Sequence, residues 1–209
     1  MSDVLEILHA AIGERRLLKN QNFAGAPLIG ADLAELKGDF LDFSRADLAG
    51  ASLSGAHLTD CDFVSAALRD ANFIEAALWQ CRFVGADARG GLFRRATAEY
   101  STWREADCEA ADFGGARLSE ASFHRANLRG ARFDGCAGDR TRFTGANLSR
   151  ASLAGAALPS ADFSGANLSG ADLSRGDFRG ANFAGAKLEG VGWDGAALDG
   201  ARFDEGARP

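Results

Sequence analysis

Residues Thr141 to Gly190 read TRFTG ANLSR ASLAG AALPS ADFSG ANLSG ADLSR GDFRG ANFAG AKLEG. Ten consecutive five-residue units share one pattern: usually Ala first, a polar residue second, Phe or Leu third, then two small or polar residues. The frame extends in both directions without a break. Unit centres fall at every fifth position from 23 to 203, which makes 37 units, and 32 of the centres are Phe, Leu or Trp. The exceptions are Gly38, Ala88, Ala98, Cys108 and Gly138, and Ala opens 26 of the units. A phase held over that length marks a repeat protein.

A period of five matches neither the 3.6-residue face of a helix nor the two-residue face of a strand. It suits a chain that turns a corner in every unit. The large centre then points inward, the small opening residue fits beside it, and the other three positions face water. A second period lies on top. Every twentieth residue from position 23 reads Phe23, Phe43, Phe63, Phe83, Trp103, Phe123, Phe143, Phe163, Phe183, Phe203, an entirely aromatic column. Four units per turn follow, giving a square solenoid whose coils stack at about 4.8 Å, so that nine coils make a rod of about 45 Å. The aromatic column becomes a ladder of rings inside it.

The units ANLSR, ANLSG, ADLSR and ADFSG resemble those of the pentapeptide repeat family, whose units read A(D/N)LXX. The resemblance covers residues 21 to 205 and implies an all-β fold, a right-handed quadrilateral β-helix. It does not specify the outer surface, where function resides. Residues 21–205 are therefore expected to form the β-helix, residues 1–20 an N-terminal helix and linker, and 206–209 a tail.

The N-terminal helix is predicted over residues 4–12, where Val4, Ile7, Leu8, Ala11 and Ile12 form an apolar stripe. Asp3 with Glu6 reads as a capping box and Gly13 as the stop. The helix is expected to dock on the open first coil and cover its exposed edge. Among the first coils, Leu36 and Leu41 replace opening Ala beside the empty centre Gly38, a compensation of volume. Residues 86–110 depart most from the pattern: Ala88, Ala98 and Cys108 shrink three centres and Trp103 enlarges one. Such a lapse in a regular protein marks either a functional site or repeat drift with compensating volumes, and drift is the preferred reading. Nothing like a cap follows Phe203, so the last coil is expected to be bare.

No long apolar run marks a signal peptide or a membrane span, which places the protein in the cytoplasm. Four Cys without a secretory signal fit a reducing compartment. Cys61 and Cys81 open units one coil apart, within disulfide reach, but the preferred reading is inert buried thiols, as for Cys108 and Cys136. No catalytic, cofactor-binding or metal-binding residue is assigned. The three His stand apart, zinc spacings are absent, and a convex solenoid wall gives no desolvated cleft for paired carboxylates.

The formal net charge is −6. Units four apart in the chain share one side of the rod, so four sides can be named after their first centres. The Phe23 side is neutral, the Leu28 side carries −1, and the Leu33 and Gly38 sides −3 each. Direct nucleic-acid binding is thereby disfavoured. Some members of the family protect DNA gyrase by mimicking duplex DNA, which needs dense negative charge along the rod. Two mildly acidic sides interrupted by Arg make that the second reading. The first is a non-enzymatic scaffold for contact with another protein. By family analogy, such a scaffold can accompany a bacterial secretion system, since type VI loci often encode small pentapeptide repeat proteins with a short N-terminal helix. The partner site is placed at Trp79 and Tyr100, outward residues of neighbouring coils, with Arg94 and Arg95 at the corner before Tyr100. Asp60 and Glu120 are expected to flank Tyr100 one row below and one row above. A homodimer through the bare coil around Phe203 is the remaining expectation.

Overall fold

The computed structural model describes residues 2 to 206, with side chains from residue 4. The chain is a right-handed quadrilateral β-helix behind one N-terminal helix. Every inter-coil bridge is parallel and joins units four apart, as in Asp162↔Asn182 and Asn167↔Lys187. Four pentapeptides therefore make each turn.

The backbone repeat explains the sequence repeat. In the unit around Phe163, the Phe163 N–H donates to Asn182 O (2.8 Å) in the next coil, and the Asp162 N–H donates to Thr141 O (2.9 Å) in the previous one. The Ala166 N–H then closes a turn onto Phe163 O (3.0 Å), with Gly165 at φ 64°. A turn with positive φ at its third residue is the type II pattern, which favours Gly there. This is why Gly collects at the fifth position.

Inside, the aromatic column is continuous. Phe143, Phe163 and Phe183 stack with centroids 4.9 and 5.0 Å apart and planes within 4°. A second column, Phe73, Phe93, Phe113 and Phe133, faces it from the opposite side, and the two meet edge to face, as in Phe123–Phe133 (5.6 Å, 89°). Offset stacks along each column and T-shaped contacts between columns are both favoured ring geometries. Where both columns are aromatic, the other two sides shrink: Ala88, Ala98 and Cys108 are buried beside Phe83, Phe93 and Trp103. The irregular middle is thus a change in which side carries the bulk, as repeat drift predicts.

Missing volume is replaced from the next opening position. A Cβ on Gly38 would collide with Leu41 Cδ1, and one on Gly138 with Thr141 Oγ1. Thr141 donates from its hydroxyl towards Leu118 O (3.0 Å) and Gly138 O (3.1 Å). Beside Ala98 the replacement is Ser101, whose hydroxyl donates to Ala98 O (2.6 Å) and accepts from Trp103 Nε1 (2.8 Å). A fully buried indole N–H is thereby satisfied.

The helix α1 (Ser2–Gly13) caps the first coil. Leu8 and Ala11 are buried, and Val4, Leu5 and Ile12 pack around them. The buried face is centred on Leu8 and includes Leu5; Ile7, expected on that face, is 42% exposed because it lies about 100° round the helix from Leu8. The Asp3–Glu6 capping box involves an Asp3 side chain outside the described residues. The end of the segment expected as a linker, from Leu18, already pairs with the next coil. Strand β1 (Leu18–Lys19) pairs with Gly38 and Asp39, and Leu18 is buried as the unit centre preceding Phe23.

The four Cys are free and buried. The Cys81 thiol donates to Leu58 O (3.4 Å) and burial holds it well above the ordinary thiol value, while Cys61, beside it, is drawn below that value by its neighbour. Burial also raises Cys108, and pushes Cys136 up to about 12.

Candidate partner-binding face

The Gly38 side differs from the other three in its backbone. There the chain forms true strands in the early coils: β1, β2 (Lys37–Asp39), β3 (His57–Thr59) and β4 (Ala77–Trp79), one parallel sheet in the order β1-β2-β3-β4. The turn hydrogen bond is weakened or replaced at the corners that follow. Leu41 N–H donates to Cys61 Sγ (3.4 Å) rather than to a carbonyl, and Cys81 N–H reaches Leu78 O at 3.4 Å. The corner is opened by the larger opening residues Leu41, Cys61 and Cys81.

The outer corners of this side also depart from the Gly preference. Eight successive fifth positions, Asn20, Phe40, Asp60, Gln80, Tyr100, Glu120, Arg140 and Ser160, hold non-Gly residues at φ between 51° and 59°. Each sits in the left-handed region at a cost of about 1 kcal/mol relative to Gly. The other three sides intersperse Gly at these corners. Here alone the run of non-Gly corners is unbroken, along one line from Asn20 to Ser160.

The exposed aromatics stand on or beside that line: Phe40 and Tyr100 in it, and Trp79 next to it at the fourth position of its unit. Trp79 is 38% exposed and Tyr100 46% exposed, with ring centroids 4.8 Å apart and planes at 57°. The diagonal contact expected from the frame is therefore formed. Trp79 Nε1 donates to Gln80 Oε1 (3.0 Å), which fixes the indole plane. Phe40 is 56% exposed in that line, and Leu17 is exposed at the second position of the unit that ends with Asn20. The two tilted rings stand on a strand surface, each open to solvent over more than a third of its residue's area.

The expected surroundings are partly different. The row below Tyr100 is Gln80, since one coil is four units; Asp60 lies two coils away, where its N–H donates to Trp79 O (3.0 Å). Glu120 is in the row above Tyr100, paired with Arg140 (3.1 Å). Arg94 and Arg95 are not gathered onto the aromatic pair. Arg95 pairs with Glu75, Arg94 lies 4.0 Å from Asp112, and both line a dent of about 340 Å³ on the Leu33 side with Gly114 and Arg132. Gln80 joins the site instead, and Phe40 lies three coils below Tyr100 in the same column. The column of fifth positions, read coil by coil in the same way as the centres, contains both.

Phe203 lies at the far end, stacked on Phe183 (5.0 Å, 11°) and edge-on to Trp193 (6.0 Å). It is only partly buried, together with Leu188, Val191, Trp193 and Leu198. The Asp204 carboxylate accepts from the Gly185 N–H (2.9 Å), in place of the Asp204 backbone carbonyl that the regular pattern would use.

Much of the acidic charge on the Gly38 side, and less of it on the Leu33 side, is paired with base. On the Gly38 side, Lys19–Asp39, Arg117–Glu99, Arg140–Glu120 and Arg179–Asp177 are ion pairs. On the Leu33 side, Arg95–Glu75, Arg94–Asp112 and Arg132–Asp134 do the same. Among the described residues no group of three or more His, Cys, Asp or Glu is arranged to hold a metal ion. No described helix is long and apolar enough to cross a membrane.

Comparison with known proteins agrees with this architecture. Residues 56–133 match the family model described as Pentapeptide repeat region, and residues 139–175 and 177–205 match Pentapeptide repeats (8 copies). Among solved structures, HetL, a pentapeptide repeat protein involved in heterocyst differentiation regulation from the cyanobacterium Nostoc sp. strain PCC 7120, is 27% identical over 93% of this chain and 90% of that one, with a TM-score of 0.56. QnrB1, a plasmid-mediated fluoroquinolone resistance protein, is 24% identical over 90% of this chain and 91% of that one, with a TM-score of 0.42. No curated protein matches in sequence.

Proposed function

We propose, from the premise that this chain belongs to the pentapeptide repeat family, that it is a rigid, non-enzymatic scaffold that binds another protein through its Gly38 side. The observation that carries this reading is the Trp79–Tyr100 pair, exposed and in contact at 4.8 Å. Tyr and Trp supply large contact area at little cost in side-chain entropy and are enriched at the centres of interfaces. The unbroken run of non-Gly corners from Asn20 to Ser160 supports it independently, because left-handed strain kept at successive corners marks a line where the side chains matter. Gln80 extends the patch, with Phe40 further along the column, and Glu99–Arg117 and Glu120–Arg140 form its polar rim. Arg94 and Arg95 sit at the rim's neighbouring corner, where a bulky partner would reach them.

The modest net charge of −3 on each of the two acidic sides, interrupted by Arg, favours this reading over mimicry of DNA for gyrase or topoisomerase, which requires dense negative charge along the rod. The open end at Phe203 supports self-association as a second contact. Two copies meeting end to end about a two-fold axis would cover the ring ladder and the free edge of the last coil. A cytoplasmic scaffold accompanying a bacterial secretion system is the cellular setting proposed, and neighbouring genes distinguish it from a topoisomerase context.

The test is affinity capture from the native host with the wild-type chain and with Trp79→Ala, Tyr100→Ala. Both side chains point outward, so thermal stability is expected to stay within about 1 kcal/mol of wild type. Loss of a specifically captured protein supports the face. Equal capture by both chains places the partner elsewhere.

A further inference from the structure

The Phe23 side is neutral over its length, yet its charge is unevenly distributed. Three successive units on that side, 101–105, 121–125 and 141–145, carry Arg104, Arg125, Arg142 and His124 against a single carboxylate, Glu105. They enclose a shallow dent of about 300 Å³ lined by Arg104, Ser122, His124, Arg142 and Thr144. The dents on the Leu33 side and beneath α1 include Asp112 and Asp134, or Glu35. This one is lined without a carboxylate, in a chain whose net charge is −6.

The layout follows from the repeat. Ser122 and His124, at the second and fourth positions of one unit, both face outward and form the floor. Arg104 reaches in from the coil below, and Arg142 and Thr144 from the coil above. The two Arg thus arise from backbones two coils apart, about 10 Å, with the floor between them. Among the described residues, the side chains of Arg142, Ser122 and His124 make no hydrogen bond or ion pair, so their donors are free. Thr144 donates to Asp162 Oδ2 (2.9 Å), leaving its oxygen lone pairs and methyl as wall. Arg104 is held only by Glu105 (3.3 Å), both more than half exposed, an ion pair weak enough to exchange for a stronger anion.

We propose that this dent is a binding site for a phosphoryl group, a tetrahedral dianion carried by a phosphorylated side chain or free as inorganic phosphate. Two Arg side chains from coils above and below, with a hydroxyl and an imidazole between, line the dent with donors from several directions. That arrangement suits a tetrahedral oxyanion better than a planar carboxylate, and Arg matches phosphate geometry with paired N–H groups. The site lies on a different side of the rod from Trp79 and Tyr100, so it stands or falls separately from the proposed partner face.

The test is titration of the ¹⁵N-labelled chain with inorganic phosphate, with a phosphoserine pentapeptide, and with chloride at matched ionic strength. Saturable shifts at Arg104, Ser122, His124 and Arg142 are expected with phosphate and not with chloride. Arg142→Gln should weaken binding about fivefold and Ser122→Ala about threefold, since each removes one donor to a charged group at an exposed site. Both side chains lack partners, so the variant spectra should otherwise overlay the wild type. Tighter binding of the phosphopeptide than of phosphate assigns a phosphorylated side chain as the ligand; equal binding assigns the free ion. Shifts that match those of chloride, or an Arg142→Gln variant that titrates like wild type, would overturn the site.

Discussion

The buried chain Trp103–Ser101–Ala98 offers a test of how the irregular middle is held together. Trp103 is the one Trp in a column that is otherwise Phe, and Ser101 stands where most units have Ala. The indole N–H donates to Ser101 Oγ at 2.8 Å, and both residues are buried. Ser101→Ala leaves that N–H without a partner in a core closed to water, at about 2 kcal/mol, and removes a hydrogen bond to Ala98 O, at about 0.5 kcal/mol more. Trp103→Phe alone costs about 1–2 kcal/mol for the space vacated. With Phe at 103 there is no N–H to orphan, so adding Ser101→Ala should cost only about 0.5 kcal/mol. The coupling across the double-mutant cycle is therefore about 2 kcal/mol. Urea unfolding of the four chains, followed by near- and far-ultraviolet circular dichroism together, measures it. In thermal scans Ser101→Ala should lower Tm by about 5–10 °C for a chain of this length. A cost for Ser101→Ala that is equal in the two backgrounds would refute the reasoning, because it would mean that the indole N–H does not depend on Ser101.

Three further outcomes are expected. Burial raises the Cys81, Cys108 and Cys136 thiols, the last to about 12, so their neutral forms stabilise the fold fully below the ordinary thiol value near 9. That stability is lost as pH rises from there towards about 12, by up to about 1.4 kcal/mol per pH unit for each thiol; unfolding midpoints measured from pH 8 to 11 should fall, and less steeply in Cys136→Ala. In a gyrase supercoiling assay the chain should give weak or no protection from quinolones, since its two acidic sides carry only −3 each and are interrupted by Arg; strong protection at micromolar protein would contradict this. Light scattering should show a dimer that Phe203→Glu converts to monomer, and a monomer at high concentration in the unaltered chain would count against end-to-end association.

The sequence is most legible where the repeat is strictest. A Phe or Trp at every fourth unit centre sets the coil length and the ring ladder, because a centre without room for error cannot drift. The N-terminal boundary is less legible. Leu18 keeps the frame, but neighbouring Leu17 and Lys19 lack the small residues that mark a unit. The face of α1 departs from its stripe at Ile7 for a related reason: a short helix that lies across a coil end buries a patch set by the coil's outline, and Leu5 fits that outline better. The Phe73-to-Phe133 column is readable but hidden, since Leu33, Leu53 and Leu153 flank it and Phe and Leu are interchangeable at single centres. Of the candidate site, the Trp79–Tyr100 contact follows from position alone. The directions of Arg94 and Arg95 do not, because long side chains at a corner go to whichever acid is near, here Glu75 and Asp112. The strained corners of the Gly38 side emerge only when φ is known for every fifth residue, although the absence of Gly from Asn20 to Ser160 along that line is already written in the chain.

The central claim is that the Gly38 side is where a partner docks, and site-specific photocrosslinking in the native host tests it most directly. A benzophenone amino acid would replace Tyr100 in one chain and Ser149, an outward residue of the Leu28 side, in another. The account predicts a discrete protein adduct from position 100 and none from position 149. Adducts from position 149 alone, or equal adducts from both, would contradict it.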